Sequence, residues 1–370
     1  MNMIKMLLVS SLYPTTQKPG YGIFVQNCEN NLKSNGFEIK RAVITGAPSC
    51  FLHKIALYIS FYARILYMGF FGRYDIIYGH FVSHICIPLY LVSLAKKVKI
   101  VINIHGGDIS VEGGLRKLIY RLLLNPFIKK IFAKAALVVA PSRYYKRILM
   151  SRYKLENDKI FVSPSGGVDA AKFKPAARLE CKDKLAIAED DFVIGYISRL
   201  ETNKGWRFFL EAAAALKKSG VIDKLSFLVV GNGSQRAAFD ETVRALGLEK
   251  EVKHIPNASH EELGCFYGAM DLFIFPTLKE SLGLVGIEAM ACGLPVIGSR
   301  IGALGEYIVE GRNGFFFEAG DAAGLKDKIE LYYKLADVKR EKMSEAALRT
   351  VSYFDSKTVS NKLGAKLSAL

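Results

Sequence analysis

The chain has 370 residues, 51% of them apolar and 23% charged, a composition that is typical of a globular protein and excludes an intrinsically disordered one. This length exceeds one ordinary hydrophobic core and predicts two domains. The formal net charge of +16 is uneven, because residues 1–170 hold 23 Lys and Arg against 8 Asp and Glu, whereas residues 171–370 hold 28 against 27. A basic first half favours nucleic acid, an acidic polymer or an anionic membrane surface as a partner.

The first residues and the cysteines exclude several classes of protein. Met1–Val9 is apolar but too short for the core of a signal peptide, so it predicts a first strand. The six cysteines form no C-x-x-C pair and no clustered spacing, which favours unpaired thiols in a reducing compartment over a zinc site or a disulfide framework.

Short apolar runs alternate with helical patterns through the first half of the chain. The helical patterns include Ile23–Asn35 and Pro88–Lys96. This alternation predicts a parallel sheet with helices on both faces, in which ligands bind at the carboxyl ends of the strands. The predicted strands are Lys5–Ser10, Glu38–Thr45, Ile76–Tyr78, Lys99–Ile104, Ala136–Ala140 and Lys159–Val162.

Two longer apolar stretches, Phe51–Phe71 and Leu115–Lys134, are interrupted by basic residues. Neither is an uncharged span of about 20 residues, so neither needs to cross a bilayer. The second has the composition of a basic amphipathic helix at a membrane surface, but a core helix with a solvated basic back has the same pattern.

The second half repeats the alternation after a polar, turn-rich join at residues 163–191. We therefore expect two parallel-sheet domains that face a cleft. The predicted strands are Phe192–Tyr196, Ser226–Val230, Val252–Ile255, Leu272–Phe275, Pro295–Gly298 and Gly314–Phe317.

The stretch from Phe275 to Pro295 predicts a strand, a short loop and a helix, with Glu280 in the loop and Glu288 about one turn into the helix. The unpaired N–H groups of such a helix favour an anion, phosphate above all. Two carboxylates would repel that phosphate, so they are better suited to hydroxyl groups on either side of it. A nucleotide sugar satisfies all three groups, although acidic residues at a helix start often serve only solvation.

A second loop of the same kind follows the strand Phe192–Tyr196. It carries Arg199 and Lys204 just before a predicted helix. Arg199 can bind a diphosphate through two hydrogen bonds and Lys204 as a point charge, whereas an isolated pair of this kind is usually a pair of surface residues.

Together these segments resemble the retaining, GT-B-fold glycosyltransferases of family 4. The resemblance covers essentially the whole chain. The second half matches through Gly195-Tyr-Ile-Ser-Arg199, Val229-Val-Gly-Asn-Gly233, Ala269-Met-Asp-Leu-Phe-Ile-Phe-Pro-Thr277, the pair Glu280 and Glu288, and Ala291-Cys-Gly-Leu-Pro-Val296. The first half matches through Lys18-Pro-Gly20-Tyr-Gly22-Ile-Phe-Val25, His80, Ile104-His105-Gly-Gly-Asp108 and Ser165-Gly-Gly-Val-Asp169.

The resemblance implies a role for each matched site residue. Arg199 and Lys204 would hold the donor diphosphate and neutralise the leaving group. Glu280 would accept hydrogen bonds from the donor sugar and Glu288 from the ribose. The main chain of Gly283, Leu284 and Val285 would bind phosphate, His105 would reach the donor sugar, and Gly20 and Gly22 would allow close approach to the diphosphate.

The acceptor side is less defined by the resemblance. His80 either caps its loop or touches the acceptor, and Asp108 either orients His105 or takes an acceptor proton. In this family a phosphate oxygen of the donor is thought to deprotonate the acceptor, so no dedicated protein base is required. The chain lacks the Asp-x-Asp motif by which the other major glycosyltransferase fold binds a divalent cation, so we expect neither a metal nor a cofactor.

The resemblance implies a GT-B architecture of two Rossmann-like domains. Residues 1–170 would form a basic, acceptor-binding, membrane-facing domain and residues 171–350 the nucleotide-sugar-binding domain. Residues 351–370 would form a final helix that packs back on the first domain.

The expected activity is transfer of a hexose from a nucleotide sugar, a UDP-sugar first of all, to a lipid-linked or glycan acceptor. The segment from Leu12 to Val25 is similar to members that build bacterial envelope polysaccharides such as lipopolysaccharide and capsule, which implies a place on the cytoplasmic face of the plasma membrane.

Two alternatives stay open at this point. A UDP-sugar epimerase shares the architecture but has no use for a basic first domain. A nucleic-acid-binding protein would explain the charge, but no base-stacking or groove-reading motif is present. The sequence Gly231-Asn-Gly233 falls short of the G-x-G-x-x-G of a nicotinamide dehydrogenase.

Overall fold

The computed structural model describes residues 3–15, 22–45, 50–109, 118–259 and 261–370, and the chain divides into two compact units. The N-terminal unit comprises Met1–Gly167 together with Lys357–Leu370, and the C-terminal unit comprises Val168–Ser356.

The N-terminal unit contains a parallel sheet of six strands in the order β2-β1-β3-β4-β5-β6. Its strands are β1 (Ile4–Tyr13), β2 (Phe37–Thr45), β3 (Ile76–His80), β4 (Lys99–Asn103), β5 (Leu137–Ala140) and β6 (Ile160–Val162). Its helices are α1 (Ile23–Ser34), α2 (Phe51–Phe71), α3 (Val82–Ala95), α4 (Asn125–Lys134), α5 (Arg143–Tyr153) and α13 (Ser356–Ser368), the last of which returns from the other end of the chain.

Both faces of this sheet are buried, which is why its central strands read as continuous apolar runs. All five residues of β3 are buried. One face packs on α2, α3, α4 and α5, and the other packs on α1 and α13. Leu363 and Leu367 of α13 lie in the second core, and the Asn35 side-chain amide donates to Ser360 Oγ at 3.3 Å. The last helix is therefore an integral part of the first unit.

The C-terminal unit repeats this architecture, with a parallel sheet in the order β12-β11-β10-β7-β8-β9. Its strands are β7 (Phe192–Ile197), β8 (Leu225–Val230), β9 (Val252–Ile255), β10 (Leu272–Phe275), β11 (Val296–Ser299) and β12 (Gly314–Phe317). Its helices are α6 (Arg178–Lys184), α7 (Trp206–Ser219), α8 (Arg236–Ala245), α9 (Leu263–Gly268), α10 (Leu284–Ala291), α11 (Ala322–Tyr333) and α12 (Asp337–Val351). The predicted two-domain α/β fold is confirmed.

One predicted helix start is wrong. The sequence pattern predicted this helix over Pro88–Lys96. The helix begins six residues earlier, at Val82, and Pro88 lies inside it. The preceding Phe81 has a φ of 62°, in the left-handed region, and so ends the extended chain of β3 although it is not a glycine and its own side chain does not cap the helix. No local turn signal marks this start.

The basic stretch Leu115–Lys134 is described from residue 118 onwards, and residues 115–117 lie outside the described residues. Tyr120–Leu124 forms a π-helical turn that leads into α4, where Ile128, Ile131 and Phe132 enter the core and the lysines face outwards. The leucines at 118, 122 and 123 are exposed. Among the described residues, no helix is both long enough and apolar enough to span a membrane.

The return of α13 to the first sheet predicts a specific stability effect. Leu367→Ala removes a side chain that is buried in the core with α1, so we expect the free energy of unfolding to fall by about 2–5 kcal/mol. The exposed Asn361→Ala on the same helix is the control and should change it by less than about 0.5 kcal/mol. Chemical denaturation measures both, and equal effects would contradict the packing of α13.

Candidate active site

Two loops of the C-terminal unit lie side by side because the strands that they follow, β7 and β10, are neighbours in the sheet. One runs from Arg199 to Gly205 and the other from Pro276 to Gly283. The carbonyl oxygen of Asn203 accepts from the Leu278 N–H at 2.9 Å and from Thr277 Oγ1 at 3.1 Å. The two predicted phosphate and sugar loops are thus joined by hydrogen bonds at the carboxyl edge of the sheet.

Lys204 and Glu280, one from each loop, form an ion pair. Each side chain is only 14% exposed, so both charges are largely removed from water and each compensates the other. Arg199 lies on the same loop as Lys204 and is exposed, and the described residues place no carboxylate within ion-pair distance of it. The guanidinium of Arg199 is therefore available to a ligand. A ligand must share the ammonium of Lys204 with Glu280.

The close approach of these loops depends on Gly205. This residue has a φ of 73° and lies against the main chain of Pro276, so that any Cβ atom here would overlap the Pro276 carbonyl oxygen. Tyr196 Oη donates to the Lys204 carbonyl at 3.3 Å from below. The ammonium of Lys204 is therefore carried on a main chain that is restrained from two sides.

Helix α10 begins directly after the second loop, at Gly283, which has a φ of 87°. The hydroxyl of Tyr307 donates to the Gly283 carbonyl at 3.1 Å and holds this turn in place. The main-chain N–H groups of Leu284 and Val285 belong to the first helical turn, where they have no acceptor within the helix. This helix start is suited to an anion.

Glu288 lies on α10 and is 9% exposed. Tyr267 Oη donates to its Oε2 at 3.1 Å. Burial raises the pKa of Glu288 to about 7, and the hydrogen bond from Tyr267 opposes that shift. Burial therefore brings the ionisation of Glu288 close to neutral pH.

The N-terminal unit has a second cluster, at the carboxyl ends of β3 and β4. The rings of His80 and His105 stack, with His80 Nδ1 3.0 Å from His105 Nε2. His80 is 1% exposed and lies behind His105 rather than on a surface that an acceptor could reach. Burial lowers the pKa of His80 well below its ordinary value and that of His105 to about 3, so both rings are neutral at pH 7.

Asp108 holds the main chain on which His105 lies. Its carboxylate accepts the N–H of His105 and the N–H of Val82, each at 3.0 Å, and so joins the loop after β4 to the start of α3. Burial raises the pKa of Asp108 to about 6, and these hydrogen bonds oppose the rise. The geometry favours orientation of His105 over proton transfer, since both oxygens are occupied by main-chain donors.

Phe81 and Phe24 complete this cluster, and sequence reasoning identified neither. Phe81 lies against His105 with ring centroids 4.4 Å apart, and Phe24 does so at 4.9 Å. A bulky residue in the left-handed region is strained, and such strain is concentrated at functional sites. No pattern in the sequence could have revealed the backbone angle of Phe81.

The two predicted glycines of the first loop have different outcomes. Gly20 lies outside the described residues. Gly22 has a φ of 79° and begins α1, and a Cβ atom on it would lie 2.8 Å from the main chain of Leu12. The structure thus gives Gly22 a local reason to be glycine, namely the contact with the end of β1.

The two halves of the chain match two known families. Residues 178–350 match the family described as "Glycosyl transferases group 1", and residues 23–171 match "Glycosyltransferase Family 4". The chain belongs to the glycosyltransferases of GT4 type. Together the two matches cover more than four fifths of it.

Curated relatives of this GT4-type chain include two proteins named D-inositol 3-phosphate glycosyltransferase. The protein of Arthrobacter sp. (strain FB24) is 33% identical over 50% of this chain and 44% of its own length. That of Pseudarthrobacter chlorophenolicus is 29% identical over 71% of this chain and 63% of its own length. The chain thus spans from under half to just under two thirds of these relatives.

Solved structures share the fold over the whole chain. HepE of Anabaena, solved in complex with UDP and with UDP-glucose, aligns with a TM-score of 0.76 at 20% identity over 99% of this chain and 100% of its own. A glycosyltransferase from Rickettsia africae aligns with a TM-score of 0.76 at 22% identity over 99% of this chain and 98% of its own.

The contact of Gly205 with Pro276 generates a prediction with an internal control. Gly205 and Gly220 flank α7, and both have positive φ, but a Cβ atom at Gly220 meets nothing within 4 Å. Gly220→Ala should therefore cost only about 1–2 kcal/mol of backbone strain. Gly205→Ala must also separate the two loops, so we expect a clearly larger fall in the free energy of unfolding. Equal unfolding curves for the two variants would contradict the close approach.

Proposed function

We propose that this chain transfers a hexose from UDP-hexose to an acceptor hydroxyl, with retention of the anomeric configuration. The observation that carries the proposal is the ion pair Lys204–Glu280 beside the start of α10, with Glu288 farther along the same helix. The nucleotide follows from the neighbours, because HepE, which has the same fold, is described in complex with UDP and UDP-glucose.

Different groups of the C-terminal unit bind different parts of the donor. Arg199 and Lys204 bind the diphosphate together with the N–H groups of Leu284 and Val285. Glu280 accepts from hydroxyls of the hexose, and Glu288 accepts from the ribose. When the donor binds, Lys204 gives up part of its contact with Glu280 and contacts phosphate instead. Glu280 in turn accepts hydrogen bonds from sugar hydroxyls in place of that contact.

Bond cleavage places negative charge on the diphosphate, and the cations stabilise that charge as the C1–O bond breaks. The acceptor oxygen forms the new bond to C1 on the face that UDP leaves, and its proton passes to a phosphate oxygen of the departing UDP. His105 donates to or accepts from a hydroxyl of the transferred hexose as a neutral imidazole. The cations Arg199 and Lys204 supply the positive charge, so we expect turnover without an added divalent ion.

The acceptor is a lipid-linked sugar or a glycan of a bacterial envelope polysaccharide, and the enzyme works at the cytoplasmic face of the membrane. This choice is supported by the basic first half of the chain and by the exposed leucines at 118, 122 and 123. A phosphorylated polyol is the second candidate, because the curated relatives are named for inositol 3-phosphate.

Release of free nucleotide tests the reaction. We expect UDP to be released from a UDP-hexose with a bacterial membrane lipid extract as acceptor and EDTA present. Glu280→Gln keeps the shape of the side chain but loses its charge, so turnover should fall about 100-fold or more. An epimerase would interconvert the sugar without releasing UDP. Binding of no UDP-, GDP- or ADP-hexose would overturn the proposal.

The buried carboxyl predicts a pH dependence of donor binding. The pKa of Glu288 is raised to about 7, and the ionised carboxylate can accept from ribose hydroxyls alongside the hydrogen bond from Tyr267, whereas protonation turns one oxygen into a donor. Affinity for UDP should therefore rise up to about tenfold between about pH 6 and about pH 8. Calorimetry with Glu288→Gln over the same range removes the titration of UDP itself, which is common to both proteins. The same pH dependence in both would contradict the role of Glu288.

A further inference from the structure

Helix α2 of the N-terminal unit has two apolar faces, and the described residues cover only one of them. Phe61, Ile65 and Gly69 are buried against the sheet and α3. Phe51, Ile55 and Ile59 follow one another at a spacing of four residues along a different face, and all three are exposed. Packing among the described residues of this unit does not account for the second face, and exposed apolar area on this scale usually marks a binding surface.

The exposed face of α2 forms one wall of a groove rather than a convex surface. The other wall is made by His84, at the start of α3, and by Leu124 of the π-helical turn. We name this feature, lined by Phe51, Ile55, Ile59, Tyr58 and His84, the α2 groove. This groove is shallow and open, and it offers an extended apolar chain contacts with both α2 and the start of α3.

His84, which lines the α2 groove, has polar neighbours within the N-terminal unit. Ser11, buried near the carboxyl end of β1, has its Oγ 2.6 Å from Nδ1 of His84, and Tyr58 Oη lies 3.4 Å from the same nitrogen. Burial, with a smaller contribution from Lys54, lowers the pKa of His84, so the ring is neutral at pH 7. Because Nδ1 is engaged, Nε2 is the nitrogen that can bind a ligand. The carboxyl edge of a parallel sheet is also where ligands bind.

Lys54 supplies a positive charge beside these polar groups. It lies on α2 in the lining of the groove and is exposed. Helix α2 contains no acidic residue, and no described carboxylate forms an ion pair with Lys54. An anionic ligand group, phosphate first of all, would compensate this charge.

We propose that the α2 groove binds the acceptor as a lipid phosphate: the apolar chain lies along Phe51, Ile55 and Ile59, and the phosphate-linked head lies at Lys54 and His84. The inference rests on the proposed function, and it chooses a lipid-linked acceptor over a free polyol phosphate or a glycan. A water-soluble acceptor would have no apolar chain to cover the exposed apolar side chains of α2. The polar groups of Lys54 and His84 would fix the orientation of an amphiphile in the α2 groove.

Two phenylalanines provide a matched test. Phe51 and Phe71 are both 76% exposed and lie at opposite ends of α2, but only Phe51 lines the groove. We expect Phe51→Glu to weaken binding of a fluorescent polyisoprenyl phosphate in nonionic detergent at least tenfold. Phe71→Glu should change it less than twofold. Both variants should retain the circular dichroism spectrum of the native protein, since both side chains are exposed.

A comparison of two lipid probes tests the contact with the phosphate head group. The native protein should bind the polyisoprenyl phosphate several-fold more tightly than the uncharged polyisoprenol with the same chain. Lys54→Met should remove most of that difference and leave affinity for the alcohol unchanged. Equal affinity of the native protein for the two probes would overturn the assignment of the phosphate to Lys54.

UDP binding, measured on the same samples, separates this inference from the proposed function. Absence of UDP binding by the native protein would overturn both. Intact UDP binding without any binding of the lipid phosphate would overturn the groove alone. Equal weakening by Phe51→Glu and Phe71→Glu would also overturn it, because the apolar face would then be a general membrane contact. Selective weakening by Phe51→Glu with unchanged UDP affinity supports the proposal.

Discussion

The ion pair between Lys204 and Glu280 is the interaction on which the candidate site depends. Two opposite charges that are each only 14% exposed stabilise one another but would be costly if separated. Their loops therefore have to be held at a fixed distance, and the structure does this through the adjacency of β7 and β10 and through the hydrogen bonds to Asn203. A ligand that separated this pair would have to offer an anionic group to Lys204 and hydrogen-bond donors to Glu280.

Burial controls the ionisation of a second set of side chains. Glu288 and Asp108 have raised pKa values because water is excluded from them, and the stacked His80 and His105 stay neutral for the same reason. The ion pair of Lys204 and Glu280 thus lies where we propose that the diphosphate and hexose bind. The buried neutral or titratable groups lie where we propose hydrogen bonds to hydroxyls. This division suits a donor with one strongly anionic part and two polyhydroxylated parts.

Sequence reasoning located almost every strand, because parallel strands that are buried on both faces appear as short, continuous apolar runs. It also located Lys204 and Glu280, since each lies in a loop directly after such a run. It misplaced the start of α3 because Phe81 adopts a left-handed backbone angle that no side-chain pattern announces. The contacts of Tyr267 with Glu288 and of Tyr307 with Gly283 join residues about 20 positions apart, so they depend on packing that the sequence does not display.

A crystal structure with an intact UDP-hexose tests the account most directly. The account predicts the diphosphate on Arg199, Lys204 and the first turn of α10, hexose hydroxyls on Glu280, and ribose hydroxyls on Glu288. The contact between Lys204 and Glu280 should lengthen as both groups turn to the ligand. A donor bound elsewhere, or one bound here with its ribose away from Glu288 and the ion pair intact, would contradict the account.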